Sequence, residues 1–478
     1  MAAHVRDDVV EQVLDVPAER LASVIGSWHE PALLESGPGF GDAGRWSILT
    51  AMPTLVFEAT GNRWWSGDRE IAEKGEGNVL AKLGRLARRL GLAEVAEAPD
   101  PHRPPFQGGL IGYIGYDLAT QIERLPRRLA RDSRMPDIRM AFYDTAVTVD
   151  HRSGVVQLWA WVVPGSDRAS AARRFQSWKE RIEREVWSVR PDPIRMPRPV
   201  RPVGSFGRET YLATVRRVLD YIAAGDVFQV NLSQRFTTRG HDDPLGLYLR
   251  LKERSPAPFA AFLRWDDLAI VSASPESFYQ TRGDLIVTRP IKGTRPRGET
   301  RAEDERLAAE LLASPKDRAE LTMIVDLERN DLGRIGRYGS VVVRDALSIE
   351  SFAQVHHLVA TVEGRLRPEV GPDDVIRAVF PGGSITGAPK IRAMEIIDEL
   401  EPTRRGVYTG AIGYLSRGGS SGFNIAIRTI LVEGDRASYQ VGGGIVADSD
   451  PESEYEETLA KGRGLRDVLD GRRRPDEP

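Results

Sequence analysis

Two spacings of apolar residues alternate along this chain, and their alternation predicts its elements. Arg208 to Ala224 carries apolar side chains three and four residues apart and stops at Gly225, which predicts an amphipathic helix. Val227 to Leu232 follows as a strand. Further strand-like runs lie at 268–272, 284–288, 340–344, 357–363, 410–415, 423–433 and 437–442, with helices predicted at 301–313, 316–329, 372–379, 388–400 and 450–469. Before residue 189, short β-like runs at Thr54–Glu58 and Val155–Trp161 alternate with helical stretches at 79–93 and 168–187. Strands this numerous, often adjacent without a crossover helix, predict an α+β protein with large antiparallel sheets rather than a doubly wound parallel one.

The clearest seam is the run from Val189 to Pro202, too rich in proline for a helix or a central strand. It predicts an N-terminal part over 1–188, a Pro/Arg-rich linker over 189–204, a larger part over 205–470 and a disordered charged tail over 471–478.

Composition narrows the chemistry. The 478 residues are 41% hydrophobic and 28% charged, with a net charge of −3 and a pI near 6.3, so no basic field is offered to nucleic acid. No apolar run reads as a membrane span or signal peptide, and a cytoplasmic enzyme is expected. The chain has no cysteine, which excludes disulfides, thiolate nucleophiles and zinc-thiolate sites, and with them any cysteine-dependent glutaminase on this chain. Any metal must be held by carboxylates or by the seven histidines, which favours a hard ion such as Mg²⁺.

Of the basic residues 58 are arginine and only eight are lysine, so each primary amine carries weight. Arginine cannot deprotonate and attack, whereas lysine can when its pKa is lowered. Lys292 stands between Pro290 and Gly293, a backbone that holds the amine in place. Glu276, ending an apolar strand sixteen residues earlier, pairs with it as general acid and nucleophile, or equally as a structural ion pair. Glu454, Glu457 and Lys461 share one face of a helix that Ser449 and Glu452 cap by their spacing, and Asp317 and Glu320 share a face of another. Two such helices would clamp one Mg²⁺, while a solvated salt-bridge stripe has the same spacing. Pro381 to Lys390 delivers a glycine-rich loop into a helix, but Ala388-Pro389 replaces the Lys-Ser/Thr of a nucleotide-binding loop. Gly442 to Gly444 offers a close backbone approach or an ordinary turn, and His357 reads equally as an active-site or a core histidine.

Taken together these segments resemble the chorismate-utilising enzyme family. The likeness spans nearly the whole chain and is carried by Gly225 to Arg235, Ser274-Pro275-Glu276, the Lys292 run, Met323 to Leu332, Gly383 to Lys390, Asn424 to Thr429 and Gly442 to Glu457. It implies antiparallel sheets packed as a sandwich with flanking helices, and a chorismate-binding catalytic domain over 205–470. Family members that add water resemble one another in having a lysine where Gln229 stands, and those that aminate C2 have alanine where Lys292 stands. The implied reaction is therefore Mg²⁺-dependent amination of chorismate at C4, with ammonia drawn from a separate glutamine amidotransferase subunit.

Position by position, the resemblance implies Glu276 as the acid and Lys292 as the nucleophile. It implies Glu320 and Glu457 as metal ligands, with Asp317 and Glu454 beside them. Gln229, Thr386, Tyr408, Arg428, Lys461 and the amides near Gly443 would receive the substrate, and His357 matches the family's active-site histidine. Ser36, Pro258 and Phe259 resemble a tryptophan pocket, although Phe259 and Ala260 replace the usual tyrosine and methionine. Amination at C2 to anthranilate is the nearest rival. A catalytically silent tryptophan-binding protein is a rival of another class, and it should have lost some of Glu276, Lys292, Glu320 and Glu457, all of which are present.

Overall fold

The computed structural model describes residues 4–6, 8–68, 72–94, 100, 102–126, 128–188, 201–241, 243–352 and 355–471. Residues 189–200 of the proline-rich seam and 472–478 of the tail lie outside the described residues.

All of the described strands fall into two antiparallel sheets of 13 and 12 strands. Each sheet takes strands from both sides of the seam. In the larger, Ala32–Glu35 pairs with Phe259–Trp265, Leu34 opposite Ala261. In the smaller, Gly109–Ile114 pairs with Ala411–Ser416, Gly112 opposite Gly413. The inner faces meet in a shared core that includes Ile48, Tyr113, Tyr143, Trp159 and Ile270. Helices Ala18–Gly26, Arg168–Ser188, Pro244–Arg254 and Pro451–Leu469 cover the outer face of the larger sheet. Val79–Arg89, Pro315–Gly333 and Pro372–Val379 cover that of the smaller. The result is the expected α+β sandwich with flanking helices, four layers deep.

Local chemistry sets the helix starts near the site. Ser314 accepts from the Asp317 N–H with Pro315 in the first turn, and Asp450 accepts from the Ser453 N–H with Pro451 in the first turn. The second differs from the Ser449/Glu452 capping box that the spacing suggests. Ser449 instead donates its hydroxyl to Glu454 Oε1 at 2.6 Å, where it orders a carboxylate rather than a helix end.

The run 423–433 is not one strand. It divides at Arg428, which has a φ of +52°, into Ser420–Ile425 in the smaller sheet and Thr429–Glu433 in the larger. Hydrophobic pattern alone does not show such a crossing, because both halves are buried. The strand read at 227–232 extends over Gln229–Arg239, and the helix read at 388–400 starts at Lys390, since Gly387–Ala388 pairs with Gln229 and Val230.

Candidate active site

Lys292 lies on strand Ile291–Pro296 at a break in register: Lys292 faces Leu358 and Thr294 faces His357, with Gly293 left between at φ +70°. A Cβ on Gly293 would lie 2.7 Å from Leu311 Cδ1 and 2.8 Å from Asp317 Cγ, so only glycine passes here. The Lys292 ammonium donates to the Ser384 carbonyl at 3.3 Å. Among the described residues it closes no contact ion pair with Glu276, although the two charges interact. Burial pushes the Lys292 pKa down, opposed by the charges of Glu276 and Glu320. Burial pushes the Glu276 carboxyl up, opposed by Lys292, the Ser384 hydroxyl and the Ile291 N–H. Each group thus leans toward its neutral form, the state that a nucleophilic amine and a proton-donating acid both need.

Gln229 forms one wall. Its side chain is fully buried, and among the described residues neither amide atom has a hydrogen-bond partner. An orphaned amide of this kind is costly unless a ligand or water completes it. Gly444 makes room for it, since a Cβ there would sit 2.7 Å from Gln229 Nε2. One residue back, a Cβ on Gly443 would meet Glu454 Oε2 at 3.1 Å, Glu457 Oε1 at 3.4 Å and Lys461 Nζ at 3.8 Å. Lys461 donates to the Gly442 carbonyl at 3.1 Å and pairs with Glu457 at 2.5 Å.

Glu320 interacts with this group from the helix opposite. Its carboxyl is raised by burial, opposed by Lys292 and Lys316 and reinforced by Asp317 and Glu457. Glu454 is raised by burial, opposed by the Ser449 hydroxyl and reinforced by Glu457. Carboxylates drawn together with like charges for neighbours fit a cation. No three His, Asp or Glu side chains converge as a closed cage among the described residues. Mg²⁺ does not require one, since one or two carboxylates with water and substrate oxygens complete its octahedron. Asp317, whose charge acts on Glu320, also pairs with Arg295 at 3.2 Å.

The remaining wall is cationic and aromatic. Arg428 has no carboxylate partner among the described residues, and burial lowers its pKa with Tyr408 opposing. Burial raises the Tyr408 phenol, opposed by Arg405. His357 Nδ1 meets Thr294 Oγ1 at 2.9 Å, and burial lowers its pKa, with a hydrogen bond at the Gly293 backbone opposing and the Arg428 charge adding. The adjacent His356 is tied to Ser351 at 2.7 Å and Asp304 at 2.9 Å, away from this wall. Thr386 is buried and donates to the Gly382 carbonyl at 3.0 Å, shaping its own loop. Ser36 lies beside Phe259 and Pro258 where Ala32–Glu35 pairs with Phe259–Trp265.

Some participants escaped sequence reasoning. Ser384, which holds Lys292 and interacts with Glu276, lay inside the glycine-rich run without being singled out. Glu328 is another: burial raises its carboxyl to about 8, opposed by Thr288 and reinforced by Glu276, and nothing in its sequence context announces this.

Residues 52–467 match the family described as chorismate binding enzyme. The chain is 43% identical to aminodeoxychorismate synthase component 1 of Bacillus subtilis, over 77% of this chain and 78% of that one. It is 44% identical to anthranilate synthase component 1 of Thermus thermophilus, over 76% and 78%. Anthranilate synthase component I of Streptococcus pneumoniae superposes with a TM-score of 0.77 at 31% identity, covering 91% of this chain and 93% of that structure. The matched span takes in Gln229, Glu276, Lys292, Glu320, Arg428 and Glu457, and the chain belongs to the chorismate binding enzymes.

Proposed function

We propose that this chain is component I of an aminodeoxychorismate synthase, aminating chorismate at C4 with ammonia from a glutamine amidotransferase partner. The observation that carries the reading is Lys292, a partly buried amine held on the Ser384 carbonyl and leaning toward its free base beside a carboxyl leaning toward its acid. Relatives bearing this name and relatives named for anthranilate synthesis match about equally well, so the decision falls on the site.

The 4-hydroxyl of chorismate is a poor leaving group and must be protonated as it departs. Glu276 supplies that proton while Lys292 Nζ bonds to ring C2; the ring double bonds shift, the C4–O bond breaks and water leaves. The Glu276 carboxylate then accepts the surplus proton of the alkylated amine. Ammonia bonds at C4, the double bonds return, and the C2–N bond breaks as Glu276 returns its proton to the departing nitrogen, regenerating neutral Lys292; the Glu276 carboxylate then takes the surplus proton of the new C4 ammonium. The product is 4-amino-4-deoxychorismate.

Mg²⁺ held by Glu320 and Glu457, with Glu454 beside them, would neutralise and polarise the ring carboxylate. Arg428, Lys461 and the amides near Gly443 present donors suited to carboxylates, and the orphaned Gln229 amide would bond the substrate without activating water. Anthranilate formation is the second reading, favoured by the identity to anthranilate synthases. To separate the two, the purified chain is incubated with chorismate, Mg²⁺ and ammonium salt and the products are chromatographed. 4-Amino-4-deoxychorismate is expected; fluorescent anthranilate formed directly and alone overturns the reading.

A further inference from the structure

Behind the substrate wall lies a charge pair that the steps above do not use. Arg405 and Glu401 meet at 2.7 Å with side chains 1% and 3% exposed. A buried ion pair adds little net stability over an apolar pair of the same volume, so the fold alone gives no reason for it. Its other contacts supply one. Arg405 Nη1 donates to the Ile385 carbonyl at 2.9 Å and to Thr409 Oγ1 at 3.3 Å, and Nη2 donates to the Asn231 carbonyl at 2.6 Å. Nε and Nη2 hold Glu401 at 3.0 and 2.7 Å. Glu401 Oε1 in turn accepts from the N–H and hydroxyl of Ser233, both at 2.8 Å. The guanidinium also lies 4.8 Å from the Tyr116 ring and 5.9 Å from that of Tyr408.

Apart from Tyr116, these partners adjoin a site residue or share its strand. Ile385 sits between Ser384, whose carbonyl holds the Lys292 amine, and Thr386, whose carbonyl accepts from the Asn231 N–H at 2.9 Å. Asn231 and Ser233 share the strand of Gln229, and Thr409 follows Tyr408. The loop and the Gln229 strand also pair directly through Thr386 and Gly387–Ala388, and one rigid, planar cation ties both of them to the stretch that carries Tyr408, a task a flexible ammonium cannot do.

We propose that Arg405 is a positioning residue: from behind the wall it fixes the distances among the Ser384–Thr386 loop, the Gln229 strand and Tyr408, and so sets the width of the chorismate pocket and the aim of Lys292. The inference rests on this chain acting on chorismate. It is tested by steady-state chorismate consumption with ammonium salt, together with thermal unfolding, for wild type, Arg405→Lys and the paired Arg405→Gln/Glu401→Gln. Arg139→Lys, in a buried ion-pair cluster away from the site, serves as control. Arg405→Lys keeps Glu401 neutralised but cannot reach both carbonyls. It is expected to melt near wild type while kcat/KM falls about 100-fold, with KM raised, the scale of a misplacement of about 1 Å. The control is expected to lose stability without a change in KM. Wild-type kcat and KM in Arg405→Lys overturn the inference; where that variant does not fold, wild-type constants in the paired variant do so. A wild-type chain that consumes no chorismate brings down the functional reading instead.

Discussion

Burial holds Glu276 and Lys292 back from their charged states while each draws the other toward its own, and the sign of that coupling can be measured. Burial lowers the Lys292 pKa, and the nearby Glu276 carboxylate works against that lowering. A step needing neutral Lys292 and protonated Glu276 gains rate as pH rises through the lysine's pKa and loses it through the acid's. In Glu276→Gln the opposing negative charge is gone, so Lys292 should titrate at lower pH than in wild type. The pH dependence of its modification by an amine-directed reagent reads this directly, and a midpoint that stays or rises contradicts the coupling. At this scale the sequence was most legible where chemistry demands a rare residue type: an amine among guanidiniums exposed Lys292, and strand-end geometry exposed Glu276. It was blind to Ser384 and Glu328, because a backbone carbonyl and a burial-shifted carboxyl depend on what folds over them.

Among the elements, two of the places where the backbone takes a positive φ aim site groups. Arg428 takes φ +52° where the chain passes from one sheet to the other, and Gly293 takes φ +70° at the register break beside Lys292. A residue other than glycine in that region costs about 1–3 kcal/mol. Gly293→Ala adds contacts below 3 Å with Leu311 and Asp317, so it should destabilise the chain by at least that amount and lower turnover further by turning the Lys292 strand. Chemical denaturation with parallel kinetics checks both; unchanged stability contradicts the strain, and unchanged turnover contradicts the link to aim. Helix periodicity and strand alternation were readable because each element buries one continuous face. The break within 423–433 was not, since Phe423, Ile425, Ile430 and Val432 are buried alike on both sides of it and pattern does not say against which sheet.

Across the whole molecule, each sheet is completed by strands from both sides of the proline-rich seam, through the pairings of Ala32–Glu35 and Gly109–Ile114. An α+β class was legible from adjacent strands without crossover helices, whereas the pairing of distant strands is a property of tertiary register that local pattern does not encode. Eight of the nine tryptophans precede residue 189, while Lys292 and Glu276 follow it. Shared sheets predict that tryptophan fluorescence and chorismate turnover are lost at the same urea concentration, as in a cooperative unit; two separated midpoints would contradict this. That common framework brings the amine and the acid together, and the central claim is that the amine bonds to the substrate. The most direct measurement is peptide mass spectrometry after mixing the chain with chorismate and Mg²⁺ in the absence of ammonia, followed by rapid quenching. The account predicts that the peptide containing Lys292 gains the mass of chorismate less one water and loses it when ammonium salt is added. A peptide that stays unmodified, from a preparation that still forms 4-amino-4-deoxychorismate when ammonium is supplied, would contradict it.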